Sequence, residues 1–386
     1  MQRSHDWVSL ETADRIAVPD DAWVDWDAEA ERFVTAHERH GDEPATARTR
    51  TRVRYETGYL EREWHDGTEM ALADLVLPYI LQFARADKAS ALFDASHVPT
   101  FETFDRHFKG WRIVEREPLV VEVYSDQIYP DAESIVAART PGVTPWHTLA
   151  LGIRAERSGE LAFSSDKADR EGVPWLSLVS GPSLDVLERH RRRAGEQGWI
   201  PLDQTLGRYI DADDARRRYR ALGAWRERHD HFWVSDGPFY LDSLHPVAGT
   251  LVLRRNADFP DRSDKWLGRA QAAIPELAID GPMTVSLDTG ARFDIEVTAD
   301  GKPYPAEAVD TVEYLLLDGR GEVVDRGQAT AEADGRWSIA VSAERIEALE
   351  PGANRLEVTL KSNRVALPRF ASHAFATVPE GAGGAE

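Results

Sequence analysis

The chain has 386 residues, with 67 acidic side chains against 46 basic ones, for a net charge of -21. That length suits two or three domains with an ample core. So acidic a surface repels nucleic acid and anionic membranes, excluding both as expected partners and favouring a cationic or neutral ligand. Cysteine is absent, which removes disulfides, thiolate zinc sites, a cysteine nucleophile and a lipid-anchored cysteine within these residues.

In chain order, residues 18–38 (VPDDAWVDWDAEAERFVTAHE) place Trp23, Trp26, Ala30, Phe33 and Val34 at helix-like spacing, and a helix is predicted there. TARTRTRVRY (residues 46–55) alternates as a strand. An Asp66-Gly67 turn follows, then a helix of the pattern Met70, Leu72, Ala73, Val76, Ile80, with Thr68 as its expected N-cap. Gly110 to Val123 reads as a hairpin turned by Arg-Glu-Pro, and a Pro/Gly-bearing loop is expected over Pro141 to Pro145. Residues 183–198 and 211–229 read as helices, and 232–260 as two strands around a short loop. Helices alternating with strands to about residue 265 predict a mixed α/β domain.

Beyond Lys265 the pattern changes to short alternating strands punctuated by Gly, Asp and Pro. Phe293, Ile295 and Val297 share one face of such a strand; Trp337, Ile339 and Val341 share another. The expected fold class is therefore α+β, a mixed α/β lobe over residues 1–270 followed by an immunoglobulin- or fibronectin-like β-sandwich over 277–379. Residues 380–386 (EGAGGAE) are expected to be a disordered tail.

Two segments carry a family resemblance. WHDGTEMALADLV (Trp64 to Val76) resembles the "FHDG-x-P-x-TA-x-DV" signature of the extracellular solute-binding proteins of peptide/nickel ABC importers. Gly237 to Pro260 (GPFYLDSLHPVAGTLVLRRNADFP) resembles the "GTGPY-K-L … RN-x-x-Y" signature of the same family, in the family's order, and the 110–123 hairpin between them is similar to one of its hairpins. The resemblance spans roughly residues 50 to 265. It implies a protein that captures a peptide or related small solute between lobes and hands it to a membrane permease without transforming it, and it implies no cofactor. It also implies an extracytoplasmic location. MQRSHDWVSLETADRI has no apolar core of an export signal, so an export segment and the family's opening lobe are expected upstream of Met1, with this chain the C-terminal portion.

Aromatic side chains with a few placed polar groups line ligand clefts, which makes Trp64, His65, Trp146, Trp175, Trp233 and Tyr240 the candidate lining. The competing reading for each tryptophan is core burial, and for Trp64-His65-Asp66 a strand end with a tight turn that fixes the next helix. His229-Asp230-His231 offers two imidazoles on one face of an extended segment, an incomplete metal site, so no metal is assigned. Arg189 to Arg193 and Arg216 to Arg218 sit among acids in helices and are expected to pair there and be solvated. No G-x-S-x-G, H-E-x-x-H, P-loop or G-x-G-x-x-G occurs, and Ser180 to Asp185 reads as a loop and helix cap, so no catalytic residue is assigned. The alternative function is an extracellular carbohydrate-active enzyme or sugar-binding protein, which requires two carboxylates facing each other across an aromatic cleft.

Overall fold

The computed structural model describes residues 7–128, 136, 142–264, 273–365 and 367–379. The expected tail 380–386 and Pro141 lie outside them. The chain divides into two compact units: Trp7–Gln127 with the described residues of Ile135–Asp261, and the described residues of Arg262–Glu386. The molecule is mixed helix and sheet with a β-rich C-terminal region. No described helix is long and apolar enough to cross a membrane.

The first unit is built on strands β1 (Val8–Ala17), β2 (Trp23–Asp27), β3 (Arg32–Thr35), β4 (Thr46–Arg54), β5 (Phe108–Arg116) and β6 (Leu119–Ser125), and helices α1 (Ala36–His40), α2 (Leu72–Ala84) and α3 (Val98–Asp105). The strands form one antiparallel sheet in the order β1-β4-β6-β5-β2-β3. β4 is where the period-two pattern acts most plainly. Ala47, Thr49, Thr51 and Val53 are buried, while the intervening arginines lie on the other face, where Arg50 pairs with Glu11 and Arg52 with Glu115 at 3.1 Å. The predicted 110–123 hairpin is β5–β6, with residues 117 and 118 at its turn.

The helix predicted over residues 18–38 is not there. Those residues form the hairpin β2–β3 and only then the short α1. Trp23 stacks on Phe33 (ring centroids 4.4 Å apart, planes 7° apart) and meets Trp111 of β5 edge-on. The Asp27 carboxylate accepts the N–H groups of Glu29 and Ala30, and Glu31 sits at φ 50°, so the chain turns where a helix would have continued.

α2 is the central helix, with 11 of its 13 residues buried. Its Tyr79 and Phe83 join Phe104, Phe108 and Trp111 in an aromatic core against the sheet. The rest of the unit comprises α4 (Trp146–Arg157), α5 (Ser165–Glu171), α6 (Ser183–Gln197), α7 (Asp203–Leu206), α8 (Ala212–His229) and the hairpin β7 (Phe239–His245)–β8 (Thr250–Arg255). α8 carries an N-cap in which Asp211 accepts the N–H groups of Asp213 and Asp214. Most of the basic runs pair locally as expected: Arg191 and Arg192 with Glu188, Arg216 with Asp213, Arg217 with Asp214.

The second unit has two sheets sharing one core. β10 (Thr284–Ser286), β18 (Arg369–Val378), β17 (Gly352–Ser362), β13 (Val309–Leu317) and β14 (Val323–Gln328) make one, in that order. β12 (Lys302–Pro303), β11 (Ala291–Ala299), β16 (Arg336–Val341) and β15 (Thr330–Ala333) make the other, with β9 (Glu276–Asp280) also paired to β11. Phe293, Ile295, Val297, Trp337, Ile339 and Val341 point into the core from one sheet; Leu316, Leu356, Val358, Leu360 and Phe375 meet them from the other. A short helix, α9 (Ala343–Glu347), adds Ile346.

Candidate functional site

The segment Glu61–Ala71 enters α2 through a tight turn. Gly67 donates its N–H to the carbonyl of Trp64 at 2.8 Å and takes φ 78°, a region glycine occupies without strain. Asp66 Oδ1 accepts both the N–H (3.1 Å) and the hydroxyl (2.7 Å) of Thr68. Thr68 thus braces the turn and is not the N-cap of α2. The helix starts at Leu72, and Asp74 reaches back to accept the N–H of Ala71 at 2.8 Å.

Beneath the turn lies a buried polar network. Asp74 Oδ2 accepts Trp64 Nε1–H (3.1 Å), and Oδ1 accepts the backbone N–H of Trp146 (2.7 Å). The Arg218 guanidinium donates to both Asp74 oxygens (3.2 and 3.1 Å) and to the carbonyl of Glu69. It also lies 3.3 Å from His147 Nδ1. A guanidinium only donates, so Nδ1 accepts and Nε2–H of His147 donates to Asp66 Oδ2 at 2.8 Å. Burial alone would raise the Asp66 carboxyl, but His147 and the two Thr68 donors outweigh it and hold Asp66 below the usual carboxylate range. An Asp–His pair orients the base of a nucleophilic triad. Here the Arg218 guanidinium stands at the imidazole nitrogen that would serve a nucleophile, and His147 is fully buried. The network is a fastening between the turn, α2, α4 and α8.

On its other side the turn is tied to the segment before β7. His65 donates its backbone N–H to the carbonyl of Ser235 (2.8 Å), and its Nε2 lies 2.8 Å from the carbonyl of Gly237. The His65 ring contacts Trp225 and Tyr240, and His229 packs on both of those. His231 Nδ1 accepts from Trp233 N–H (3.1 Å), leaving Nε2 to donate to the carbonyl of Leu241 (2.9 Å). Burial pushes the His231 imidazole below its ordinary value.

Two cavities flank the turn. One, of about 340 Å³, is walled by Glu61, Trp64, His65, Asp236, Asn256 and Phe259 among others. The second, of about 610 Å³, is walled by Thr68, Glu69, Tyr209, Asp214, Arg217 and Arg218 among others. Glu63, Gly67 and Met70 belong to both. The smaller cavity also carries Asp258, while its Arg62 is paired with Glu56, so negative charge dominates its wall.

Of the six residues nominated from sequence, Trp64 and His65 reach the smaller cavity, and Tyr240 packs behind His65. Trp146 is a core residue, not cleft lining: it has no exposed surface and its ring stands edge-on to Tyr219. Trp175 and Trp233 are 62% and 52% exposed and line neither cavity. Trp175 bonds the carbonyl of Phe163 through Nε1 at 3.1 Å. His229 ends α8 and Asp230 is its left-handed C-cap (φ 62°), so the two histidines do not share a strand. Among the described residues no group of three or more His, Cys, Asp or Glu is placed to hold a metal ion.

Sequence reasoning missed Asp74, His147 and Arg218 as a unit. Arg218 looked like one more helical arginine beside Arg216 and Arg217, and only its place on the buried face of α8 sets it apart. An acid three residues into a helix and a histidine next to a core tryptophan were the available signals.

No family model matches the chain, and no curated protein matches it. Solved structures give partial likenesses. The CARDB domain of a Pyrococcus furiosus protein, in complex with di-metal ions, is 12% identical over 28% of this chain and 90% of that one, with a TM-score of 0.20. A DUF4785 family protein from Legionella pneumophila is 15% identical over 28% of this chain and 29% of its own, at 0.22. Catalytically inactive OgpA from Akkermansia muciniphila, in complex with an O-glycopeptide, is 13% identical over 26% and 28%, at 0.20.

Proposed function

We propose that the Trp7–Asp261 unit captures a small solute, a peptide or a related cationic molecule, and that the protein is the substrate-binding component of an ABC importer acting outside the cytoplasm. The observation that carries this reading is the meeting of the two signature-like segments. Trp64 to Val76 and Gly237 to Pro260 lie far apart in sequence, yet His65 is hydrogen-bonded to Gly237. Trp64, His65, Gly67 and Met70 from the first, with Asn256, Asp258, Phe259 and Pro260 from the second, wall one cavity. Ligand capture at a wall shared by two such segments needs no reactive constellation.

The wall chemistry supports a positive ligand. Glu61, Glu63, Asp236 and Asp258 face one arginine already neutralised by Glu56, an arrangement suited to an ammonium such as a peptide amino terminus. Closure around ligand would follow from tighter binding to a closed state, and the closed form would be what a permease recognises. The β-rich unit, which we assign to the immunoglobulin-like class, would serve as spacer or docking module.

Thermal-shift and calorimetric titration with short peptides, oligosaccharides and nickel chelates tests the proposal. A ligand bound only by the folded chain raises its stability with concentration. A saturable shift with peptides is expected. A shift with oligosaccharides alone would overturn the importer reading in favour of a sugar-binding one.

A further inference from the structure

The β7–β8 hairpin has two unlike faces and two unlike edges. Its register sets Tyr240 opposite Arg254 and Ser243 opposite Val252, with Leu241 opposite Leu253 and Leu244 opposite Leu251 on the other face. The Tyr240 face is packed against Trp225, His229 and His65. The opposite face carries Phe239, Leu251 and Leu253, each more than half exposed. At the outer edge of β7, the carbonyls of Leu241 and Asp242 are met by the imidazoles of His231 (2.9 Å) and His229 (3.3 Å). β8 pairs only with β7 among the described residues, and each of its residues from Thr250 to Arg255 is exposed. A two-stranded hairpin is marginal alone in water, and an apolar open edge is a template for another strand.

We propose that β8 is a self-association edge, and that two copies of this chain join by antiparallel β8–β8 pairing about a twofold axis at Val252. A twofold axis normal to a sheet preserves its faces, so only residues an even number of positions apart come opposite each other. The register centred on Val252 sets Leu251 against Leu253 of the second copy and Leu253 against its Leu251. Thr250 then faces Arg254, so no like charges are opposed. The occupant is a second copy because the surface from Pro246 to Ala257 contains no acid, in a chain with 67 of them. Two bodies of charge -21 meet there with no acid on either facing strand.

Sedimentation velocity of the full chain tests this over a concentration series at low and high salt. Wild type is expected to show a monomer–dimer equilibrium that tightens as salt screens the two acidic copies from each other. The double variants Leu251→Lys/Leu253→Lys and Leu251→Glu/Leu253→Glu each oppose like charges across the axis and are expected to weaken the dimer at least about tenfold. Mixing the two restores a dimer, since each lysine then faces a glutamate. All four substitutions are at exposed positions, and circular dichroism checks that the variants fold. A wild type that stays monomeric at every concentration and salt overturns the proposal, whether or not it binds vesicles or another protein. So do a dimer indifferent to both double variants and a mixture that stays monomeric.

Discussion

Asp66 and His147, 81 positions apart in sequence, are joined by a 2.8 Å hydrogen bond between two side chains with no exposed surface. Through His147 the tight turn is held to α4, and through Arg218 to α8. The wall shared by the two cavities is therefore fixed from below, by buried groups. Such a network is high-stakes: complete, it specifies one geometry, and with one member removed it leaves charge stranded in a low-dielectric interior.

Replacing Asp66 with Asn should cost about 2 kcal/mol at neutral pH, the scale of a buried hydrogen bond to a charged acceptor, because the amide keeps only part of the carboxylate's hydrogen bonding. The sign of the pH effect follows from the depressed Asp66 carboxyl. A carboxyl lower in the folded state than in the unfolded one contributes stability in full above the unfolded value, about 4. That contribution is lost as pH falls through the folded value. Urea unfolding at pH 7, 5 and 3 should therefore show the gap between wild type and Asp66→Asn narrowing at acid pH. A gap that widens there would mean Asp66 is not ionised in the fold.

Arg218→Lys tests geometry at constant charge. Lysine is a point donor and cannot span both Asp74 oxygens, the Glu69 carbonyl and His147 as the guanidinium fork does. A loss of about 2 kcal/mol is expected, against less than about 0.5 kcal/mol for Arg217→Lys, whose partner Asp214 is on the surface of the same helix. Equal effects at the two positions would remove the distinction drawn between them.

These residues also mark how far the sequence could be read. β4 was legible because one face is buried and one is solvated, so Ala47, Thr49, Thr51 and Val53 alternate with arginines. The strands around Phe293 and Trp337 were legible for the same reason. β2–β3 was not, because what decides it is non-local: Trp23 is held by Phe33 and by Trp111 from β5, and that packing overrides a local spacing that suits a helix. The turn at Asp66-Gly67 could be read from its residues. Its fastening to His147 and Arg218 could not, since nothing in the local spacing of either residue records a partner this far along the chain.

Glu63 borders both cavities, so its charge bears on any ligand in either. If the ligand is cationic, Glu63→Gln should weaken binding by roughly 0.5–1 kcal/mol, the scale of a partly solvated ion pair. The loss should shrink as salt rises. Folding stability should be unchanged, because Glu63 is exposed. Calorimetry at 50 and 500 mM salt gives the answer, and tighter binding by the variant would show that the ligand carries negative charge.

Gly281 offers a probe confined to the β-rich unit. A Cβ built there collides with Cδ1 of Phe293 and lies 3.1 Å from Cε1. That ring is fully buried and packed on Phe375 and His373. Gly281→Ala should therefore cost about 1–3 kcal/mol through overpacking. The loss should appear in the unfolding of residues 273–379 and spare the 7–261 unit, whose hydrophobic core shares no residue with that of the β-rich unit. Hydrogen exchange read by mass spectrometry separates the two. Faster exchange in β11, β16 and β18, with unchanged protection in β4, β6 and α2, is the expected pattern. Equal loss of protection in both units would mean that they unfold as one cooperative body.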